Sequence, residues 1–227
     1  MNTNKLSLKE VLYLISVKDK DGRANAEHLE YGLIGACLME LASRERIAIR
    51  DKHIEVLDSK PTNDDALDLV LKKIAHSKRR RKIKTWVAML VNKSEKVRRL
   101  IRDSLYEKQH LGQEQKKFLF IPYTLHPVAK TDVKKAFTDH LKKAIQEQQS
   151  FGETESNLIA LMYVSASFRN IFHDRKERRH ARKRVKAMIK EGAIASAVSD
   201  SIREMQAAIT AAVATSVAVS AAATSSN

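Results

Sequence analysis

A chain of 227 residues with 43% hydrophobic but only 5% aromatic residues can enclose one substantial core, built mainly from Leu, Ile, Val and Ala. Its formal net charge of +15 creates a long-range field that draws in polyanions or anionic lipid head groups. The lone cysteine, Cys37, excludes an intrachain disulfide and a Cys-based metal site, and 6 glycines are too few for the phosphate-cradling nests of most nucleotide enzymes.

Met1 to Ser7 is polar and carries neither the apolar stretch nor the cleavage site of a secretory signal, so a cytoplasmic, reducing location is expected. Ser7-Leu8-Lys9-Glu10 has capping-box spacing, and Leu8, Val11, Leu12 and Ile15 follow at helical period, which starts a first helix at Ser7. After the polar turn Lys18 to Gly22, a second helix places Leu29, Leu33, Cys37, Leu38 and Leu41 on one face. Gly32 and Gly35 within it predict close packing.

From Arg46 the period changes to two: Ile47 and Ile49, then Ile54 and Val56, flank Arg50-Asp51-Lys52-His53 as a β-hairpin. Pro61 to Asp64 reads as a turn and helix start, with Leu67, Val70, Leu71 and Ile74 on the buried side. The basic run Lys78 to Lys84 precedes Trp86, Met89 and Leu90, which are expected to return to the core. A helix from about Ser94 to Lys108 sets Val97, Leu100, Ile101 and Leu105 on one face and Lys96, Arg98, Arg99 and Arg102 around the other.

Phe118-Leu119-Phe120-Ile121-Pro122-Tyr123 is too short for a buried helix, and Pro122 bars it from a central strand, which places it on an exposed hairpin or edge. Helices follow over about Asp132 to Gln149, Glu155 to His173, Lys176 to Lys190 and Ala195 to Ala223. The uncharged stretch Gln206 to Ala223 reaches spanning length but lacks the Leu, Ile and Phe density of a transmembrane helix. The expected architecture is mainly α, a single compact multi-helix domain over 1–227 with one or two short β-hairpins.

The eight histidines form no metal-ligand spacing with Cys, Asp or Glu, no Gly-x-Ser-x-Gly elbow occurs, and Cys37 lies mid-helix on an apolar face. Neither catalysis nor a cofactor is therefore expected. Two basic clusters stand out, Lys78 to Lys84 and Arg175 to Lys186, and either alone could be a solvated helix face. Two of them in a chain of charge +15 favour an anionic partner. Neither cluster interleaves the stacking aromatics of single-strand binders, whereas Phe118 to Tyr123 offers a wedge for membrane insertion, or equally an oligomer contact or a buried strand.

Leu8-Lys9-Glu10-Val11-Leu12-Tyr13-Leu14, Lys18 to Gly22, Gly32-Leu33-Ile34-Gly35-Ala36 and Met39-Glu40-Leu41-Ala42 resemble the Golgi phosphoprotein family of phosphoinositide binders. The same order continues through Pro61 to Asp64, Trp86-Val87, Glu107-Lys108, Phe118 to Phe120 and His126-Pro127, covering about the first 150 residues and weakening beyond Gln149. Tyr31-Gly32-Leu33, the short N-terminus and the Ala-rich tail look more like the family's bacterial members. The resemblance implies a helical peripheral membrane protein on the cytosolic face that recognises phosphatidylinositol 4-phosphate, with membrane proteins retained as clients.

It places the family's head-group positions at Asn25, Ile34, Glu95 and Arg98, of which Arg98 alone carries the family residue. Lys96, Arg99 and Arg102 supply charge beside it, and a hydrophobic hairpin is implied over about Glu114 to Leu125. The expected function is peripheral binding of anionic lipid through this basic surface and the hairpin, with homo-oligomerisation open. The competing expectations are a nucleic-acid binder using the two clusters on phosphates, and an oligomeric protein scaffold.

Overall fold

A computed structural model of the chain describes residues 6–147, 152–190, 204 and 206–215. Its elements run α1 (Leu8–Ser16), α2 (Leu29–Ser43), β1 (Ile47–Arg50), β2 (His53–Val56), α3 (Asp65–Ala75), α4 (Ile83–Val91), α5 (Ser94–Glu107), β3 (Glu114–Phe118), β4 (Ile121–Leu125), α6 (Thr131–Glu147), α7 (Glu153–Val164) and α8 (Arg175–Lys190). Residues 206–215 are also helical. The protein is mainly α, with two separate two-stranded antiparallel sheets among the described residues.

Helix α2 is the axis of the core. Apolar side chains surround it on nearly every side, from Leu29 and Leu33 to Ile34, Leu38, Met39 and Leu41, as expected for a helix enclosed by others rather than lying at a surface. Helices α1, α3, α4, α5 and α7 pack around it. The glycines permit that approach: a Cβ on Gly32 would stand 2.9 Å from the Ser165 Cβ, and one on Gly35 would stand 2.5 Å from the Ile209 Cδ1.

Charge also enters this core. Lys9, 1% exposed, donates to Glu40 at 3.0 Å and to Asp64 at 2.6 Å, and its backbone N–H reaches Glu40 at 2.8 Å. Burial alone would lower the Lys9 pKa, but the two carboxylates outweigh it and hold the ammonium above its ordinary value. Its neighbour Glu10 accepts from Ser7 N–H at 2.7 Å, Ser104 Oγ at 2.8 Å and Lys108 Nζ at 2.7 Å. Burial would raise Glu10; the hydrogen bonds from Lys108, Ser7 and Ser104 prevail and hold it below the usual range.

Ser7, Asp64 and both hairpins fall where periodicity and turn chemistry place them. Two expectations need correction. Met89 is 43% exposed, because Ile83, Trp86, Val87 and Leu90 already fill the core side of the short helix α4. The helix expected over Glu155 to His173 breaks after Val164, where Ala166 turns left-handed at φ 55° and a 3-10 turn spans Ser167–Asn170. Serine hydroxyls compete with the helical ladder there: Ser165 Oγ donates to the Leu161 carbonyl at 2.8 Å and meets Ser167 Oγ at 2.7 Å. Of the stretch expected to be helical over Ala195 to Ala223, residues 206–215 are helical and most of the rest lies outside the described residues. No helix among the described residues is long and apolar enough to cross a membrane.

Candidate functional site

The site begins with the turn after α1. Gly22, at φ +68°, lets the chain reverse, and Lys18 accepts from Gly22 N–H while donating to the Arg23 carbonyl, both at 2.9 Å. This turn docks on the root of the second hairpin: His126 N–H donates to the Asp21 carbonyl at 3.2 Å and Val128 N–H to the Asp19 carbonyl at 2.8 Å. A Cβ on Gly22 would lie 2.2 Å from the His126 carbonyl oxygen, so only glycine fits both the dihedral and the space.

Helix α5 closes the other side. It buries Val97, Ile101 and Leu105, leaving Arg98 and Arg102, four apart, on a shared outer face. Between the turn, α5 and the hairpin root lies a polar cavity of about 300 Å³ whose lining includes Tyr13, Arg23, Arg98, Arg102, Tyr123 and His126. Arg102 Nε is buried with no hydrogen-bond partner among the described residues. Arg98 pairs with Glu95, and Arg23 lies 3.6 Å from Asp21.

The arginines set the electrostatics. Burial pushes the Tyr13 phenol up against the pull of Arg102 and Arg98, and burial together with Arg102 holds the His126 imidazole below its ordinary value. Tyr13 and His126 are therefore neutral near pH 7, and the cavity's charge comes from three guanidinium groups against the Asp21 carboxylate. Arginine's planar donors suit phosphate and carboxylate oxygens.

Of the four cations expected to gather, Arg98 and Arg102 do so, while Lys96 and Arg99 are exposed and do not line the cavity. Arg23, Tyr13 and His126 join them and were not singled out; Gly22 before Arg23 and the His126-Pro127 pair were the available signals. Ile34 is fully buried in the core and cannot face a ligand, and the Asn25 amide donates to Asn170 at 2.6 Å.

From the same root rises the β3–β4 hairpin, paired from Glu114↔Leu125 to Phe118↔Ile121. Every residue of β3 is exposed, and Phe118 (67%), Leu119 (74%), Phe120 (95%) and Ile121 (68%) form an apolar tip, with Pro122 and Tyr123 exposed below. Leu119 and Phe120 sit at φ +43° and +72° in the two-residue turn, a conformation that usually selects Asn-Gly. Lys116 and Lys117 pair with Tyr123 and Pro122 just beneath the tip.

Part of the charge in the two basic clusters is engaged within the protein. Arg80 contacts Glu55 at 2.7 Å, the Arg81 guanidinium lies 5.9 Å from the Trp86 ring centroid, and that of Arg182 lies 5.3 Å from Tyr163. Cys37 is buried in α2, and burial pushes its thiol up, away from reactivity at neutral pH. Among the described residues no three His, Cys, Asp or Glu side chains come together as a metal site.

The sequence model of the family described as Golgi phosphoprotein 3 (GPP34) matches residues 8–205, extending past Gln149, where the resemblance weakens. A vacuolar protein sorting-associated protein 74 from Schizosaccharomyces pombe is 28% identical over 164 residues, covering 62% of this chain and 47% of its own. One of the same description from Eremothecium gossypii is 30% identical over 153 residues, covering 58% of this chain and 46% of its own. The chain thus spans about half the length of the curated relatives it matches.

Proposed function

The chain belongs to the Golgi phosphoprotein 3 (GPP34) family, and from that premise we propose that it is a peripheral membrane-binding protein, not an enzyme, that docks on anionic lipid at the cytosolic face of a membrane. Arg98, Arg102 and Arg23 receive a lipid phosphate in the cavity, and Phe118 to Ile121 enter the interfacial region of the bilayer. The observation that carries this reading is the junction of the two features at Tyr123, which belongs to β4 and lines the cavity. A hairpin lowered into a bilayer therefore brings the cavity to the depth of the head groups.

The magnitudes are sufficient. Burying two or three large apolar side chains contributes about 1.5 to 3 kcal/mol each, and each cation near an anionic surface adds about 1 kcal/mol. Phosphatidylinositol 4-phosphate is the head group we favour, on the strength of the family; the arginine set is this chain's own, since Ile34 and Glu95 stand where the resemblance expects arginine. Tyr31-Gly32-Leu33 leads us to group the chain with the family's bacterial-type members.

Sedimentation with vesicles of neutral lipid, phosphatidylserine-containing lipid and phosphatidylinositol 4-phosphate-containing lipid, at low and physiological salt and with short duplex DNA as competitor, tests this directly. Binding to the phosphoinositide above the serine lipid supports a true pocket, and equal binding to both anionic vesicles reduces the site to charge plus hairpin. Failure to bind any vesicle at physiological salt while DNA is retained would overturn the reading in favour of nucleic acid.

A further inference from the structure

A second cavity lies away from the arginines, between the N-terminal end of α1 and helices α6 and α7. It measures about 540 Å³, within the range of small-molecule sites, and its walls are largely apolar: Val11, Val133, Phe137, Leu141 and Leu158. Polar groups are few and occupy two places. His140 Nε2 and a Glu155 carboxylate oxygen are in hydrogen-bond contact. His110 and Lys130 stand together, and they differ in kind from that closed pair.

His110 is 4% exposed, lines this cavity, and its buried Nδ1 has no hydrogen-bond partner among the described residues. A buried ring nitrogen without a partner is costly, so an acceptor that enters the cleft, water or ligand, is favoured there. Among the described residues Lys130 Nζ makes a single long hydrogen bond, 3.3 Å to the Lys108 carbonyl, which leaves donor capacity on its ammonium. The neighbouring charge of Lys130 adds to burial in holding His110 below its ordinary pKa, so the imidazole is neutral and able to donate one N–H.

We propose that this cleft binds the alkyl chain of a long-chain fatty acid, with its carboxylate received by Lys130 and His110. A single unbranched chain matches apolar walls with polar groups concentrated at one side, and the anionic head supplies the acceptor that both His110 Nδ1 and Lys130 lack. The Glu155 carboxylate is engaged at the other end of the cleft, by His140 Nε2 and by the Gly152 N–H at 3.0 Å. The site is separate from the arginine cavity and does not depend on lipid docking through the hairpin.

Displacement of cis-parinarate from the intact chain by saturated fatty acids of 10 to about 16 carbons is the test. Affinity should rise about fourfold per methylene until the cleft is filled. Lys130→Met should weaken palmitate at least tenfold while leaving hexadecanol unchanged, and Val133→Trp, at the half-buried edge, should abolish both. Phe120→Ser is the control and should change nothing. The proposal fails if the intact chain binds no fatty acid, if affinity is indifferent to Val133→Trp in a variant whose circular dichroism matches the parent, or if Phe120→Ser abolishes binding and so moves the site to the hairpin tip.

Discussion

The two hairpins have the same backbone plan and opposite chemistry. Both join antiparallel strands through two residues at positive φ, Asp51-Lys52 in the first and Leu119-Phe120 in the second. In the first the tip is polar and exposed, while Ile47 and Ile54 are buried in the core at 2% and 5% exposure. In the second the polarity is inverted: the strands carry Lys116 and Lys117, and the apolar residues stand at the tip, in solvent and in dihedrals that bulky side chains avoid. A hairpin that serves folding turns its apolar residues inward. One that turns them outward, in strained dihedrals, is the feature on which the proposed membrane contact rests.

That contrast can be broken from either side. Ile54→Ala should remove about 2 to 4 kcal/mol of stability in urea unfolding, because it empties a packed position, and should leave vesicle binding per folded molecule intact. The double replacement Phe118→Ser and Phe120→Ser should do the reverse, lowering vesicle partitioning by about a hundredfold for some 3 kcal/mol of lost burial with the unfolding midpoint nearly unmoved. A smaller effect is expected of Arg102→Ala, about tenfold on binding to phosphoinositide vesicles and less on phosphatidylserine, as measured by sedimentation; equal losses on both would deny the cavity any head-group preference. Smallest is Leu119→Asn with Phe120→Gly, which relieves the turn and should stabilise the fold by about 1 kcal/mol in the same unfolding assay, while still weakening vesicle binding.

Much of this was legible in the chain because it depends on near neighbours. Capping residues, the change from period 3.6 to period 2 at Ile47, and Pro122 in an apolar run are all local signals, and α1, α2, α3, α5 and both hairpins follow from helical period and from them, whereas α4 does not read as a helix. What escaped depends on partners far away in sequence. Lys9 and Glu10 look like the polar face of an amphipathic helix, and only the arrival of Glu40, Asp64 and Lys108 makes their burial tolerable. Arg23 and His126 are about a hundred residues apart and meet only because one turn docks on the far hairpin. Even the break in α7 was written locally, in Ser165-Ala166-Ser167, but a period count weighs serine as merely neutral in a helix.

The contact of Gly22 with the His126 carbonyl works as a fulcrum. The hairpin is a lever arm rooted at that point, and the turn that carries Arg23 rests on the same point with no side chain between them to give. A methyl group at that point, as in Gly22→Ala, would push the turn and the hairpin root apart while altering neither Phe120 nor Arg23.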